Sequence, residues 1–347
     1  MSLDNIPSSQ TALKPKQSNW FRILISLLIS IIFLYISFKG INLASFIDSM
    51  KKVSWWLFAL SLVPTFLAYW FRLFRWRIML KPIGQFKKTS LAGPLMIGFM
   101  GNNILPARIG EFLRAYALSK KASISGVGAL ATIVLERIFD GIILVAMLIW
   151  SILHYPFPNY IKNGTWIMLG SYMLLLIFLY FLQRYPHKTA EKTLKLFFFL
   201  PETFRIKVQH IIEKFIQGFS ILEDWREIVL ILVYSILVWF ASALIHNSLL
   251  FACGMTDIPF LASIVILSIT AVGVMIPAAP GYIGTAQYFT ILALQPFGVD
   301  KTQALAYAIV SFISQYVPVT IIGIIYFYRE KMSFFSTDSK QTLSKAS

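Results

Sequence analysis

The sequence has very few of the residues from which disulfides, metal sites and catalytic centres are usually built. Its one cysteine, Cys253, excludes an internal disulfide and a cysteine-based metal cluster. The four histidines, His154, His187, His210 and His246, are scattered without the spacing of metal ligands. A phosphate-binding loop, a dinucleotide fingerprint, a zinc-protease motif and a serine nucleophile elbow are also missing. We therefore predict no catalytic residue, no metal site and no cofactor.

Charged residues are scarce as well, and acidic residues are fewer than basic ones. Only 13% of the 347 residues are charged and 57% are hydrophobic, whereas roughly a quarter of the residues in a soluble domain are charged. Several continuous apolar runs are long enough to cross a bilayer, and they do not alternate as barrel strands do. The chain is therefore predicted to be an all-α polytopic membrane protein. Its net charge of +16 is attributed to cytoplasmic loops that face anionic lipid, with no nucleic acid as a partner.

The chain contains eight apolar segments, and two of them are short. The segments are residues 21–38, 53–71, 90–105, 126–153, 164–183, 228–252, 259–276 and 303–327. The first is long and is followed by no convincing small-residue cleavage site, so we interpret it as an uncleaved helix rather than a signal peptide. The short segments 90–105 and 259–276 both run into a stretch with proline and glycine.

The distribution of lysine and arginine favours about six spanning helices and two re-entrant helical hairpins. If 90–121 and 259–299 each enter and leave on one side, the basic stretches 72–88 and 184–227 fall inside together with both termini. The two hairpins then enter from opposite faces, as an inverted repeat requires. Eight true spans are the alternative, and they place 184–227 outside.

This topology predicts one transmembrane domain, residues 20–328, between a cytoplasmic N-terminal tail, 1–19, and a cytoplasmic C-terminal tail, 329–347. Within the domain, apolar residues recur at helical spacing from Arg205 to Leu222. The loop 184–227 is therefore predicted to be cytoplasmic, with an amphipathic helix on the membrane interface. A solvated connector without a function of its own is the plainer interpretation of this loop.

The two stretches with proline and glycine are similar enough to predict a weak inverted repeat. Aligning Pro106-Ala107-x-x-Gly110 with Pro277-Ala278-x-x-Gly281 also brings GVGALA, at 126–131, next to GVDKTQALA, at 298–306. Short segments interrupted by proline or glycine in both halves of a chain are typical of the binding site of a transporter. We therefore expect a site where the two hairpins meet.

Six charged residues lie on the first hairpin and the helix after it, namely Arg108, Glu111, Arg114, Glu136, Arg137 and Asp140. Their helical spacing puts each set of three on one face, so the two sets are expected to face each other. A charge inside the bilayer costs about 2.5–3.5 kcal/mol. Two interpretations remain open: a neutral ion-pair network that holds the hairpin to the helix, and a polar cleft that receives a lipid head group or an ion.

The second hairpin is uncharged but polar. Gly281 and Gly284 allow close backbone approach or a kink, and Gln287 follows them. The next helix adds Ser311 and Gln315. Tight packing of the hairpin and the lining of a pathway are both compatible with this pattern.

Two stretches resemble the flippase-like transmembrane region of bacterial lysylphosphatidylglycerol synthases and their stand-alone relatives. They are NNILPARIGEFLRAYAL…ALATIVLERIFDGI and PAAPGYIGTAQ…FGV…ALAYAIV, and the resemblance covers about residues 15–330. The residues that match the family pattern are Asn103, Pro106, Arg108, Gly110, Glu111, Arg114, Glu136, Arg137 and Asp140 in the first stretch, and Pro277, Pro280, Gly281 and Gly284 in the second. Gln287 departs from the pattern, because many relatives have glutamate there.

The resemblance implies an integral lipid flippase-like transporter in the bacterial inner membrane, which moves a phospholipid or another lipid-linked head group between leaflets. The matched residues would then form the pathway for a head group or an ion. The implied partners are membrane lipids with an anionic head group and a separate lipid-modifying enzyme.

An enzymatic role is not expected from the resemblance. In the two-part relatives, a soluble domain transfers lysine from charged tRNA to phosphatidylglycerol. Only residues 328–347 follow the last apolar segment here, so we expect the chain not to be that aminoacyltransferase. The alternative is a membrane subunit or an enzyme of lipid modification, in an aminoacyl-phosphatidylglycerol or a lipid-linked glycan pathway.

Overall fold

The computed structural model describes residues 20–122, 124–185, 224–276 and 278–332, together with Phe219 and Ile221. Across these ranges the regular structure is helical, without a strand. Four helices are long and apolar enough to cross a membrane: Trp55–Met79, Asn159–Phe181, Trp225–Ala252 and Lys301–Arg329. A bent pair, Leu24–Phe38 with Leu43–Lys51, turns by 89° and gives a fifth candidate. The prediction of an all-α, multi-pass membrane protein is confirmed.

Each predicted apolar segment corresponds to helical structure. The first part of the chain contains α1 (Trp20–Phe38), α2 (Leu43–Lys51), α3 (Trp55–Leu60), α4 (Leu62–Met79), α5 (Lys88–Ile104), α6 (Gly110–Ala122) and α7 (Gly126–His154). The second part contains α8 (Asn159–Arg184), α9 (Trp225–Ala252), α10 (Leu261–Met275), α11 (Thr285–Leu294) and α12 (Lys301–Arg329). Ser125, Asp224 and Asp300 accept hydrogen bonds from the first turns of α7, α9 and α12, which fixes where these helices begin.

Contacts between helix ends divide the bundle into two faces. The α3–α4 span and α9 run antiparallel, because the Ser54 amide donates to the Ala252 carbonyl at one end and Lys81 pairs with Glu227 at the other. We call the end with Lys81 the basic face, and α5 begins there at Lys88. The end with Ser54 is the opposite face.

The helices α1 and α12 also run from face to face. Lys301, at the start of α12, donates to the carbonyls of Ile36 and Lys39 at the end of α1, so these ends share the opposite face. The far end of α12 lies at the basic face, where Glu330 pairs with Lys121 of α6. With α3–α4, α7, α8 and α9, six passes of the described chain run from one face of the bundle to the other, and four or five of them are long and apolar enough to cross a membrane.

Two helical hairpins complete the bundle, one from each face. The hairpin α5–α6 starts and ends at the basic face, and its helices lie so close that a Cβ on Gly101 would be 2.7 Å from the Cα of Gly110. The hairpin α10–α11 starts and ends at the opposite face, because α10 follows the end of α9. Its helices are joined by a hydrogen bond of 3.0 Å between the hydroxyls of Thr270 and Thr290.

The two hairpin tips have the same local structure, which corrects the register of the predicted repeat. Each tip is a 3-10 turn, Pro106–Arg108 or Pro280–Tyr282, and each turn ends on a residue with positive φ, 54° in the first and 59° in the second. The corresponding pairs are Pro106 with Pro280, Arg108 with Tyr282, and Gly110 with Gly284. The predicted alignment used Pro277, because sequence identity alone did not show which proline of PAAPGYIG begins the turn. The helices that follow the hairpins, α7 and α12, are each 29 residues long.

Several predicted features fall outside the described residues. They are Pro277, the tails before residue 20 and after residue 332, and most of the predicted amphipathic stretch 205–222. Phe219 and Ile221 of that stretch are described, and both are buried in one cluster with residues of α4, α7 and α9.

Candidate functional site

A buried network of ion pairs joins α4, α6 and α7. Arg75 Nη2 lies 3.0 Å from Oε1 of Glu136, and Arg75 Nη1 lies 2.6 Å from Oδ1 of Asp140. Arg114 Nη1 lies 2.9 Å from Oε2 of Glu136, and its guanidinium lies over the ring of Trp76. We call Arg75, Arg114, Glu136 and Asp140 the clasp. Because each charge has a partner of opposite sign, these side chains tolerate almost complete burial.

The positions of the clasp residues follow from helix geometry. Glu136 and Asp140 are one turn apart on α7, so both carboxylates face α4, where one planar guanidinium reaches the two of them. Arg75 also donates to Ser235 Oγ at 2.8 Å, and Trp239 Nε1 donates to Asp140 at 3.3 Å. The clasp therefore also fixes α9 against α4 and α7.

Arg137 and Glu111 extend the clasp toward solvent. Arg137 Nε lies 3.5 Å from Glu111 Oε1, and its Nη1 lies 3.8 Å from Asp140 Oδ2, with 35% of its side chain exposed. The extended set pairs three arginines with three acids: Arg75, Arg114 and Arg137 with Glu111, Glu136 and Asp140. This set has no net charge. The first hairpin and α7 thus meet through charged side chains, as the sequence predicts.

Arg108 is the exception, and its predicted place beside Glu111 and Arg114 is wrong. The prediction assumed a continuous helix, whereas Arg108 ends a 3-10 turn at positive φ and α6 begins only at Gly110. Its guanidinium therefore points at the second hairpin. Arg108 Nη2 donates to the carbonyl of Val274 at 3.2 Å, and the group lies 5.9 Å from the ring centre of Tyr282. Arg108 thus links the two hairpin tips.

Arg75 was missed in the sequence, although it is the centre of the clasp. It lies in the basic stretch 72–88, which the charge pattern assigned to a cytoplasmic loop. In the structure α4 continues to Met79, so Arg72 and Arg75 lie inside the bundle. The available signal was the helical pattern of FRLFRWRIML, in which the two arginines are three residues apart between aromatic side chains.

A cavity of about 440 Å³ lies between the hairpin tips and the helices α4, α7, α9 and α12. Arg72, Arg108 and Arg137 line it, and among the described lining residues Asp140 is the one acid. Within the described residues Arg72 has no carboxylate at ion-pair distance, and its Nε is buried without a hydrogen-bond partner. Its guanidinium lies 5.3 Å from the ring centre of Phe99. The charged wall of the cavity therefore has an excess of positive charge.

The remaining polar wall of the cavity is uncharged. The His246 ring lies 2.9 Å from the hydroxyl of Tyr307, and Gln315 Nε2 donates to the hydroxyl of Ser311 at 3.0 Å. The predicted residue Asn103 also lines the cavity, and its amide donates to Thr320 at 2.8 Å. Cavity-lining residues thus come from both halves of the repeat.

The predicted residues of the second hairpin have mainly structural contacts. Gly281 and Gly284 both have positive φ, 72° and 96°, and a Cβ on Gly284 would overlap the backbone of Ser30. Gln287 Oε1 accepts a hydrogen bond of 2.7 Å from the Gly284 amide, so it caps the start of α11. Pro280 begins the 3-10 turn. Only Gly281 of this set lines the cavity.

Comparisons with known proteins agree with this architecture. The family model of the lysylphosphatidylglycerol synthase TM region matches residues 23–323. The UPF0104 membrane protein MJ1595 of Methanocaldococcus jannaschii is 27% identical over 271 residues, 72% of this chain and 78% of that protein. The glycosyltransferase AglD of Haloferax volcanii is 26% identical over 132 residues, 38% of this chain and 21% of AglD. The similarity to MJ1595 therefore covers most of both proteins, whereas the similarity to AglD covers a minor part of each.

Proposed function

Because the chain belongs to the family of the lysylphosphatidylglycerol synthase TM region, we propose that it moves a lipid head group between the two leaflets of a membrane. The observation that carries this proposal is the cavity between two opposed hairpin tips, with its excess of arginine. Charged side chains inside a membrane protein typically face a water-filled pathway, and transporter sites lie where opposed repeats meet. Arg72 and Arg108 are the groups best placed to bind a head-group phosphate.

We place the protein in the plasma membrane with the basic face toward the cytoplasm. The segment from Arg77 to Lys88 carries four basic residues and no acid, as the positive-inside rule expects of a cytoplasmic loop. The two hairpins are then re-entrant, and their tips meet inside the bilayer.

Cysteine labelling tests this orientation on the two hairpins directly. In a Cys253→Ser background, cysteine replaces Lys120 at the end of α6 or Gln295 at the end of α11, both of which are exposed. With an impermeant reagent on intact cells, we expect labelling at position 295 and none at position 120 until the membrane is opened. Labelling of both positions from one side would contradict opposed re-entrant hairpins.

In this proposal the head group enters the cavity while the acyl tails stay in the bilayer. A phosphate that binds Arg108 competes with the Val274 carbonyl, which is the hydrogen-bond partner of Arg108 in the structure. Binding would therefore weaken the contact between the tips and favour a change of access. The clasp keeps the first hairpin fixed to α4 and α7 during this change.

Reconstitution into liposomes tests lipid movement. Dithionite bleaches a fluorescent phospholipid only in the outer leaflet, so movement appears as bleaching beyond that of protein-free vesicles. We expect Arg72→Gln to slow this bleaching at least about tenfold, because a charged hydrogen bond of about 1.5–3 kcal/mol is lost. Lys120→Gln, a matched loss of one exposed charge, should leave it unchanged. Bleaching limited to the outer leaflet, with folded wild-type protein, would contradict lipid movement.

A membrane component of a lipid-modifying enzyme is the second candidate. It is favoured by the name of AglD, which is a glycosyltransferase, although the match covers only 21% of that protein. Transfer of a radiolabelled sugar or amino acid to lipid by the purified chain would support this candidate. Co-purification with a separate transferase, without lipid movement in liposomes, would support a role as its membrane subunit.

A further inference from the structure

The cavity has two chemically different walls. One wall carries the guanidinium groups of Arg72, Arg108 and Arg137. The other wall, from α9, α11 and α12, carries uncharged hydrogen-bonding groups: Ser242, His246, Thr290, Ser311 and Gln315. A ligand that fills the cavity therefore meets positive charge on one side and neutral donors and acceptors on the other.

The cavity offers no free carboxylate to a cation. Among the described residues that line it, Asp140 is the one acid. Its Oδ1 accepts from Arg75 at 2.6 Å and from Trp239 at 3.3 Å, and its Oδ2 accepts from Arg75 at 3.2 Å. An ammonium group at Asp140 would lie beside Arg75 and Arg137, which already pair with that carboxylate.

Aromatic rings can also bind cations, but two of the rings on this wall already face arginines. Arg72 lies 5.6 Å from the ring centre of Tyr69, and Arg108 lies 5.9 Å from that of Tyr282. An incoming amine at either ring would be close to a second positive charge. These two rings therefore do not compensate for the missing carboxylate.

We propose that the cavity selects a lipid head group that carries a phosphate and uncharged hydroxyls, and that it rejects head groups with an amine. This inference rests on the proposed function, in which the ligand is a lipid head group. The phosphate binds the arginine wall, and the hydroxyls bind the wall with Ser311 and Gln315. On this second wall, Gln315 Oε1 has no hydrogen-bond partner among the described residues. It can therefore accept a hydrogen bond from a hydroxyl of a polyol head group.

The volume limits the size of the head group. At about 440 Å³ the cavity lies near the lower end of the range of about 300–1,000 Å³ for small-molecule pockets. It therefore suits a phosphate with one glycerol or one sugar, and not a long glycan or the acyl tails. Phosphatidylglycerol is the simplest probe with this chemistry.

Native mass spectrometry of the full-length purified protein tests the selection. The protein is mixed with four lipids that share the same tails: phosphatidylglycerol, phosphatidic acid, phosphatidylethanolamine and lysylphosphatidylglycerol. We expect phosphatidylglycerol to be retained at least about tenfold more than either amine lipid, a difference of about 1.4 kcal/mol or more, because the amine finds no free acid in the cavity. Equal or greater retention of an amine lipid would overturn the inference.

Variants on the two walls separate their contributions. Gln315→Leu should remove the preference for phosphatidylglycerol over phosphatidic acid, because it deletes a partner of the polyol. Arg72→Gln should lower retention of both lipids, with Arg108→Gln as the second variant if the first is poorly folded. Lys120→Gln is the matched control and should change neither. An unchanged lipid preference in all folded variants would overturn the assignment of the walls.

These experiments also distinguish a soluble ligand from a lipid, and a failure of the proposed transport from a failure of the proposed selection. If sn-glycerol 3-phosphate displaces the retained lipid and binds as tightly on its own, the ligand is soluble and the inference of a lipid is overturned. Selective retention without bleaching in liposomes rejects the proposed transport but supports the selection. Equal bleaching rates for phosphatidylglycerol and phosphatidylethanolamine reject the selection while the proposed transport stands.

Discussion

The two hairpins share one backbone design and differ in what holds them in place. Both run from a helix into a 3-10 turn that begins with proline, pass a residue of positive φ, and return through Ile-Gly into a second helix. In the first hairpin the returning helix α6 presents Arg114 to Glu136 of α7. In the second, α11 is uncharged and is joined to α10 by the hydroxyl pair Thr270–Thr290.

This difference predicts which hairpin would move in the proposed transport. Ion pairs in a low-dielectric interior are costly to separate, because each partner would remain as an unpaired charge. Hydroxyl pairs and apolar contacts of the second hairpin are weaker, at about 0.5–1.5 kcal/mol for a typical hydrogen bond. We therefore expect the first hairpin to remain fixed on α7 and the second to carry the conformational change. The predictions that follow test that contrast, from the largest expected effect to the smallest.

Removing the central acid of the clasp should have the largest effect on stability. Glu136→Gln leaves Arg75 and Arg114 without their shared carboxylate, and breaking a buried pair typically costs about 3–5 kcal/mol. We expect a large drop in the free energy of unfolding, measured by denaturant titration in mixed micelles. The control is Asp48→Asn, which removes an exposed pair with Lys51 and should cost less than about 1 kcal/mol. Similar effects of the two changes would mean that the clasp does not stabilise the first hairpin.

Hydropathy was sufficient to predict the helices but not the clasp. The apolar runs had to be helical because a bilayer allows only helices and closed barrels, and the runs do not alternate as barrel strands do. The spacing of Glu136 and Asp140 was informative for the same reason, since α7 is continuous through both. Arg75 was assigned to a loop because its sequence neighbourhood is basic. Only tertiary pairing with α7 shows that its charge is buried.

The errors at the hairpin tips have a common physical cause. Helical spacing stops predicting neighbours where the chain leaves the helix, and Arg108 lies at such a point. The same holds for the repeat, in which the turn at Pro280 decides the register and the Pro-Ala identity at 277–278 does not. A positive φ is uncommon for arginine and tyrosine, so the residue type does not reveal such a turn in the sequence.

The matched glycines of the two tips give the second prediction. Gly284→Ala should destabilise by about 1–3 kcal/mol from backbone strain, because its φ of 96° is unfavourable for alanine. The overlap with the backbone of Ser30 should add to this cost. Gly110→Ala should also destabilise, since its Cβ would overlap the Gly98 carbonyl. Gly110 has no positive φ, however, so its cost comes from packing alone.

The rate of lipid movement should then differ between the two glycine variants. If the second hairpin is the moving one, Gly284→Ala should slow bleaching in liposomes more than Gly110→Ala does, at equal amounts of folded protein. Gly170→Ala on α8 is the control, because no atom lies within 4 Å of its Cβ. It should be neutral or stabilise by up to about 1 kcal/mol. A greater loss of movement in Gly110→Ala would assign the motion to the first hairpin.

The smallest expected effect concerns the contact between the two hairpin tips. It tests whether Arg108 belongs to the ion-pair network, as the sequence predicts, or contacts the second hairpin, as in the structure. Arg108→Gln replaces a charged donor to the Val274 carbonyl with a neutral amide donor, so we expect a cost of about 0.5–1.5 kcal/mol in the free energy of unfolding. If Arg108 belonged to the ion-pair network, as its spacing from Glu111 and Arg114 predicts, its loss would be coupled to that of Glu136. In the structure the two side chains share no partner: Arg108 faces the second hairpin, and Glu136 pairs with Arg75 and Arg114.

The double variant Arg108→Gln with Glu136→Gln should therefore show the sum of the single effects within about 0.5 kcal/mol, as independent sites do. A coupling energy of 1 kcal/mol or more, in the range of about 0.5–3 kcal/mol found for residues in one network, would return Arg108 to the clasp. Additivity would instead mean that the contact between the tips is separate from the clasp, so that the tips can part without breaking the clasp, as the proposed function requires.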